Sequence, residues 1–232
     1  MKITVQRDTL APALAALSRV VERRNTIPIL SNILLRASGN RLTLRATDLD
    51  IQADTSVPCE VGEAGATTLP AHTLSDIVKK LPAEVSVTLE GSGDAPTALR
   101  AGRSRFTVQS LPESDFPDIT TGELPHRFSL AAKQFLALID CVEFAISTEE
   151  TRYYLNGIYM HTLDVEGQPR LRAVATDGHR LSRFDLPAPQ GSVGMPGVII
   201  PRKTVGELAK MAKEAEGDLL LELSTTKIRV TA

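Results

Sequence analysis

The chain has 232 residues, of which 42% are apolar and 23% are charged, with 26 lysines and arginines against 28 aspartates and glutamates. This composition is typical of a globular protein and excludes a disordered or collagen-like chain. The net charge of -2 also excludes a protein that is basic over its whole surface, as many nucleic-acid binders are. A basic surface confined to one part of the protein is still compatible with this net charge.

The N-terminus and the cysteines indicate a cytoplasmic protein. Met1 is followed by polar and charged residues rather than by the apolar stretch of a signal peptide. No apolar run approaches the roughly 20 residues that span a bilayer. Cys59 and Cys141 lie far apart and match no metal-binding or redox spacing. We therefore expect no membrane partner, no metal and no cofactor.

The apolar pattern predicts two helices in each half of the chain. The first follows a strand at residues 2–5, is capped by Asp8 or Thr9 and carries Pro12 in its first turn, and the last opens at Pro201. The four apolar stripes, in chain order, are Leu10, Leu14, Leu17 and Val21; Leu74, Ile77, Val78 and Leu81; Phe135, Leu138, Ile139, Val142 and Ile146; and Val205, Leu208, Ala209 and Ala212.

Alternating stretches at residues 42–45 and 85–89 predict half-buried antiparallel strands, and residues 91–94 predict a turn. The order of elements predicts an α+β fold in which two helices pack on antiparallel sheets, twice along the chain. The sequence has neither G-x-G-x-x-G after a strand nor a P-loop, which argues against a doubly wound nucleotide-binding fold.

An internal repeat divides the chain into two copies of one unit. Residues 41–58 read RLTLRATDLDIQADTSVP and residues 170–187 read RLRAVATDGHRLSRFDLP, so both carry Ala-Thr-Asp at the same place. Leu30 matches Leu155, and Leu69-Pro70 matches Ile200-Pro201, at similar offsets. We therefore expect one domain at residues 1–125 and a second at 126–232. The second is expected to stop about 20 residues short of the first, as in a fragment of a longer chain.

The run Thr176-Asp177-Gly178-His179-Arg180 suggests an acid–base site, because an aspartate close to a histidine can orient it as a general base. One hypothesis is therefore a hydrolase-type enzyme that uses Asp177 and His179. The other is that Thr-Asp closes a turn, because Ala46-Thr47-Asp48 holds the same place in the first unit with no histidine after it. The sequence has no recognisable nucleophile elbow, which favours a turn and no catalytic residues.

The second unit differs from the first at two places that suit a binding site. Gly178 allows a close backbone approach and Leu181 offers an apolar contact, as in a peptide pocket, although Gly178 could simply permit a tight turn. Arg152-Tyr153-Tyr154-Leu155 replaces an aromatic-free stretch at 27–30. Paired tyrosines beside an arginine can stack on bases or on peptide side chains and can hydrogen-bond phosphate. The alternative hypothesis is that one tyrosine is a core residue and the other an isolated surface residue.

Basic residues recur on the equivalent helices, together with acidic ones. On any single helix this mixture indicates a solvated face. Summed over the helices, the basic residues predict a surface that binds phosphates weakly, without sequence preference and with a strong dependence on salt. The residues concerned are Arg19, Arg23, Arg24, His72, Lys79, Lys80, Lys203, Lys210 and Lys213.

The whole chain resembles the bacterial sliding clamp family, the beta subunit of DNA polymerase III, over its N-terminal domain and most of its central domain. The resemblance is carried by these motifs in order: MKITV at 1–5, IPIL at 27–30, ATDL at 46–49, GATTLP at 65–70, GRSRF at 102–106, LP at 111–112, DFP at 115–117, RYYLNG at 152–157, ATDGHRL at 175–181 and IPRK at 200–203. Each motif alone is weak evidence for the family, whereas the whole series in this order is a specific match.

The resemblance implies three similar domains per complete chain, with the third absent here, and two chains closed head to tail as a homodimeric ring around double-stranded DNA. Helices line the hole and sheets form the outside. The clamp is not an enzyme; it tethers the polymerase and docks the polymerase III alpha subunit, clamp-loader subunits and other proteins with a clamp-binding motif. These partners insert a short peptide between the second and third domains.

The resemblance also assigns residues. The pocket set is Arg152, Tyr154, Leu155, Thr176, Gly178, His179, Arg180 and Leu181, and the DNA set is Arg24, His72, Glu149, Tyr153, Tyr154, Arg202 and Lys203. Two positions depart from a well-known member of the family, which has an arginine and a glutamine for DNA where this chain has His72 and Glu149. Because Glu150 follows Glu149, we expect this pair to repel phosphate.

Overall fold

The computed structural model describes residues 1–93, 95–119, 122–149 and 151–232. The chain divides into two compact units, residues 1–119 and residues 120–232. Asp94 of the predicted turn and Glu150 lie outside the described residues. The expected domain boundary after Pro125 falls in the connection between the last strand of the first unit and the first strand of the second. Among the described helices, none is both long and apolar enough to cross a membrane.

The first unit, in its described part, contains two sheets and two helices. Strands β5, β1, β7, β8 and β9 form one sheet in that order, and β4, β3, β2 and β6 form the other. The bounds are β1 Lys2–Gln6, α1 Arg7–Ser18, β2 Asn32–Ser38, β3 Arg41–Thr47, β4 Gln52–Pro58, β5 Glu60–Glu63, β6 Gly65–Pro70, α2 Ala71–Lys80, β7 Ser86–Glu90, β8 Thr97–Ala101 and β9 Ser104–Val108.

The second unit repeats this arrangement. Its sheets have the orders β13-β12-β11-β14, equivalent to β4-β3-β2-β6, and β10-β15-β16, equivalent to β1-β7-β8. The bounds are β10 His126–Ala131, α3 Ala132–Asp140, β11 Gly157–Val165, β12 Gln168–Thr176, β13 Leu181–Pro187, β14 Val198–Pro201, α4 Arg202–Glu214, β15 Asp218–Leu223 and β16 Ile228–Thr231.

Each unit has its own main hydrophobic core between helices and sheets. In the first, α1 packs against α2, β3 and β4, and in the second α3 packs against α4, β12, β13 and β15. Leu10 of α1 and Phe135 of α3 occupy equivalent positions, and both are fully buried. All paired strands of the described residues run antiparallel, which confirms the α+β prediction of helices on antiparallel sheets, twice along the chain.

The prediction for the start of α1 is wrong. The helix begins at Arg7, directly after β1, and its N-cap residue Gln6 makes no capping side-chain hydrogen bond. Tertiary bonds set this start: the Arg7 backbone N–H donates to the Val85 carbonyl (2.9 Å). Asp8 therefore lies inside the helix rather than at its cap. Pro12 is in the second turn, not the first.

Candidate functional site

The Thr-Asp pair of the second unit closes the hairpin between β12 and β13. Thr176 Oγ1 donates to the Arg180 carbonyl (2.7 Å) and accepts from the Gly178 N–H (3.1 Å). Asp177 Oδ1 accepts from the backbone N–H groups of His179 and Arg180, both at 3.0 Å. The side chains of Thr176 and Asp177 thus hold the tip of the hairpin in place.

The first unit makes the same hairpin with the same bonds. Thr47 Oγ1 donates to the Ile51 carbonyl (2.9 Å) and accepts from the Leu49 N–H (3.0 Å). Asp48 Oδ1 accepts from the N–H groups of Asp50 (3.0 Å) and Ile51 (2.7 Å). The interpretation of Ala-Thr-Asp as a shared turn is therefore confirmed.

These bonds leave Asp177 poorly suited to acid–base chemistry. The two backbone hydrogen bonds, from Arg180 and His179, together with the Arg180 guanidinium lower the pKa of Asp177 to about 2. Its Oδ2 accepts from Arg180 Nε at 2.9 Å. A carboxylate with so low a pKa is a weak base near neutral pH. The geometry gives Asp177 a structural role and does not favour the hydrolase alternative with His179.

Replacing Leu49 by glycine is expected to stabilise the first unit by about 0.5–1 kcal/mol. Leu49 has φ 81°, close to the 89° of the equivalent Gly178, and its side chain is half exposed. The left-handed conformation destabilises an L-residue by about 1–2 kcal/mol. Glycine removes this strain, but its greater conformational freedom in the unfolded chain offsets about 0.5–1 kcal/mol of the gain. Urea unfolding measures the change. Leu49→Ala is the control, because it shortens the side chain and keeps the strain, and an equal gain there would contradict the explanation.

Arg152 connects this hairpin to the tyrosine-containing segment. Its Nη1 lies 3.3 Å from the position that a Cβ on Gly178 would occupy. Arg152 also accepts a backbone hydrogen bond from Leu155 (2.8 Å), which closes a 3-10 turn at 153–155. Leu181 and Tyr154 are more than half exposed. The structure therefore places Arg152 against Gly178 and leaves apolar surface open on both segments, whereas the hydroxyl of Thr176 is used inside the hairpin.

Phe144 is a surface residue at this site that sequence reasoning missed. It is 57% exposed, and the guanidinium of Arg180 lies 5.5 Å from its ring centroid, within range of a cation–π interaction. The available signal was its position between Val142 and Ile146, off the apolar stripe that continues from α3. An aromatic residue off such a stripe points away from the core.

Four residues of the DNA set form two pairs at equivalent places in the two units. By the offsets of the repeat, Arg24 is equivalent to Glu149 and His72 to Lys203. In the first unit, His72 Nε2 donates to the Val21 carbonyl (3.1 Å), which ties the start of α2 to the segment leading to Arg24. The structure thus brings Arg24 and His72 onto neighbouring segments. His72 is half-buried, and one of its ring nitrogens is used in this intramolecular hydrogen bond.

In the second unit a different pair of bonds connects the start of α4 to the tyrosine turn. The Arg202 N–H donates to the Asn156 carbonyl, and the Asn156 N–H donates to the Tyr153 carbonyl, at 3.0 and 3.2 Å. Arg202 and Lys203 are exposed in the first turn of α4. The exposed tyrosines and two basic residues therefore lie on segments that are bonded to each other.

All three tyrosines of the chain lie within residues 153–159 and are exposed. Tyr153 and Tyr154 meet edge to face with ring centroids 5.6 Å apart, and Tyr159 stacks on His161. At the equivalent turn of the first unit, Ile29 is buried in a small cluster with Phe116. The hypothesis of one core and one surface tyrosine at 153–154 is therefore wrong: both side chains face outward.

Glu149 does not present an uncompensated charge. Its Oε2 lies 3.0 Å from Arg152 Nε, and both side chains are about half exposed. The expected repulsion of phosphate is therefore reduced by an adjacent cation. An open groove of about 390 Å³ lies elsewhere in the second unit, beside Glu123 and His126, and contains none of the predicted site residues. Within the described ranges, no group of three acidic, His or Cys side chains could hold a metal ion.

Two family models match the chain in succession. Residues 1–120 match the N-terminal domain of the DNA polymerase III beta subunit, and residues 129–232 match its central domain. The beta sliding clamp of Caulobacter vibrioides is 50% identical over 230 residues, which are 99% of this chain and 62% of that protein. The beta sliding clamp of Escherichia coli K12 is 38% identical over 99% of this chain and 61% of its own length.

Solved structures give the same result. The polymerase III beta subunit of Caulobacter crescentus has a TM-score of 0.95 and 49% identity, covering 99% of this chain and 63% of that one. A sliding clamp from Bartonella birtlesii, solved with griselimycin bound, has a TM-score of 0.96 and 49% identity over 100% of this chain and 62% of that one. The chain thus spans about three fifths of the length of the relatives it matches.

Proposed function

Because the chain belongs to the DNA polymerase III beta subunit family, we propose that the complete protein is a DNA sliding clamp. It encircles duplex DNA, tethers the replicative polymerase and acts without catalysing a reaction. The observation that carries this proposal is the match of both units, in order, to the N-terminal and central domains of the family. Residues 1–125 and 126–232 are then the first two clamp domains. A third domain and a second copy of the chain close a homodimeric ring in the cytoplasm.

The proposed DNA surface has a part on each unit. Arg24 and His72 contribute from the first unit, and Tyr153, Tyr154, Arg202 and Lys203 from the second. Arg202 and Lys203 lie at the N-terminal end of a 13-residue helix, where the helix dipole adds to their attraction for phosphate. The set also includes the acidic residue Glu149 of the second unit. Such a mixed surface holds DNA weakly and without reading its sequence, which suits a protein that slides.

The proposed docking site for partners is the surface around Arg152 and the Gly178 hairpin. Tyr154, Leu155 and Leu181 offer apolar contacts, and His179 and Arg180 offer polar ones, to a short peptide from the polymerase III alpha subunit, the clamp loader or another motif-bearing protein. Exposed aromatic and arginine side chains are the residue types that contribute most to such interfaces.

Replacing Arg202 and Lys203 together by alanine in the complete protein is expected to weaken DNA binding equally for all sequences. Each lost phosphate contact lowers the slope of log affinity against log salt by about 0.9, so the slope should fall by about one to two. Fluorescence anisotropy with duplexes of unrelated sequence measures this slope.

A second experiment tests whether the protein encircles DNA. Wild-type protein loaded on closed circular DNA should stay bound, and it should leave when the circle is cut.

The control is Arg229→Ala on β16 of the same unit, because Arg229 Nη2 lies 2.8 Å from Glu222 Oε2 and Arg229 belongs neither to the DNA set nor to the basic helix residues. That variant should keep the wild-type slope. A preference for base sequence above about 1–3 kcal/mol per position, or wild-type protein that leaves intact circles as fast as cut ones, would contradict a sliding clamp.

A further inference from the structure

Glu149 of the DNA set forms an ion pair with Arg152 of the pocket set. Its carboxylate is 3.0 Å from Arg152 Nε, on one side of the guanidinium. On the other side, Arg152 Nη1 comes within 3.3 Å of the position that a Cβ on Gly178 would occupy. One guanidinium therefore joins a residue of the DNA set to the tip of the pocket hairpin.

The backbone around Glu149 fixes this geometry. The Glu149 N–H donates to Ser147 Oγ (3.1 Å), and the Glu149 carbonyl accepts from the Arg152 N–H (3.1 Å). The Ser147 N–H in turn donates to the Leu155 carbonyl (3.1 Å). Because these bonds hold the turn closed, the carboxylate and the guanidinium meet without ordering a long flexible segment, which lowers the entropic cost of the ion pair.

The ion pair orients the rest of the arginine side chain. A guanidinium is a rigid planar fork, so a partner at Nε fixes the direction in which the Nη groups point. Here Nη1 points at the tip of the hairpin, beside the bare backbone of Gly178. The first unit cannot form the pair, because Arg24 and Ile27 stand at the equivalent positions. The arrangement is specific to the second unit.

We propose that Glu149 is a positioning residue of the peptide pocket, holding Arg152 against the Gly178 hairpin, and that the same carboxylate lowers the affinity of the neighbouring surface for DNA phosphate. The proposal rests on the sliding-clamp function. It assigns one side chain opposite effects on two ligands: Glu149 strengthens peptide binding by orienting Arg152, and it weakens DNA binding by its negative charge.

The test compares Glu149→Ala and Glu149→Gln in the complete protein. The probes are a fluorescent peptide with the clamp-binding motif of a polymerase III alpha subunit and a short DNA duplex at low salt. Glu149→Ala is expected to weaken peptide binding about two- to fivefold, the range of an exposed ion pair, and to strengthen DNA binding by a similar factor. Glu149→Gln should restore peptide binding, because its amide oxygen still accepts from Arg152 Nε, and should keep the stronger DNA binding.

An Arg152→Ala background provides the control, since Glu149→Ala should weaken peptide binding no further there. The proposal is overturned if Glu149→Ala leaves peptide binding unchanged, if both affinities move in the same direction, or if glutamine fails to restore the peptide affinity. Wild-type protein that binds neither probe would overturn the sliding-clamp function and this inference with it. Wild-type binding of both probes with none of the expected changes would overturn the inference alone.

Discussion

Replacing Phe135 by alanine is expected to lower the free energy of unfolding of the second unit by about 3–5 kcal/mol. Phe135 is 1% exposed and lines a small apolar cavity with Ile158, Ile200 and Val205. Truncation removes the apolar contacts of the ring and enlarges a void that is already present, so both the transfer cost and the cavity cost apply. Amide hydrogen exchange in the complete protein measures the effect separately in each unit.

The matched variant is Leu10→Ala, because Leu10 holds the equivalent position in α1 and is fully buried. It should lower protection in the first unit by about 2–5 kcal/mol. Because the main cores are separate clusters, we expect each variant to leave the other unit nearly unchanged. Equal loss of protection in both units from Phe135→Ala alone would show that the two cores unfold as one.

Replacing Gly178 by leucine is expected to reduce the affinity of the complete protein for the motif peptide by at least about 30-fold, the scale of an interface hot spot. A Cβ at this position would lie 3.3 Å from Arg152 Nη1, so a leucine side chain displaces the guanidinium and covers the bare backbone. The hairpin itself should persist, because the first unit carries Leu49 at the same place with the same set of turn hydrogen bonds. Peptide titration and urea unfolding separate binding from stability.

Gly167→Leu is the control for backbone strain. Gly167 has φ 80° in the turn between β11 and β12 of the same unit, and a Cβ there would meet nothing within 4 Å. Both variants should lose about 0.5–1 kcal/mol of stability, because the lower freedom of the unfolded chain partly offsets the strain of the left-handed conformation. Only Gly178→Leu should lose affinity for the motif peptide. Equal loss of peptide binding in both variants would assign the effect to strain rather than to the pocket.

The repeat made much of this fold predictable. Because Ala-Thr-Asp recurs at one offset, the sequence alone indicated that Thr176 and Asp177 close a turn, and the hydrogen bonds confirm it. Periodicity was less informative about where helices end: Val21 and Val142 continue the stripes of α1 and α3 but lie beyond their last residues. They are buried all the same, because the chain stays against the core after each helix ends.

Tertiary contacts decided the features that the sequence could not supply. The start of α1 depends on the bond from Arg7 to Val85, which lies far along the chain, and no local cap signals it. The pairing of Glu149 with Arg152 depends on an irregular turn, where spacing alone does not bring side chains together as it does on a helix. From sequence, the charge of Glu149 therefore indicated only repulsion.

The concentration of tyrosines in one stretch of the second unit has an optical consequence. These 232 residues contain no tryptophan, and their three tyrosines all lie within seven residues of the second unit. The tyrosine fluorescence of this part of the protein therefore comes from the second unit alone, from Tyr153 and Tyr154 in the turn after Arg152 and from Tyr159 of β11, which stacks on His161. A change in the intensity of that emission reports an event on the second unit without any attached dye, because the first unit contributes no tyrosine signal.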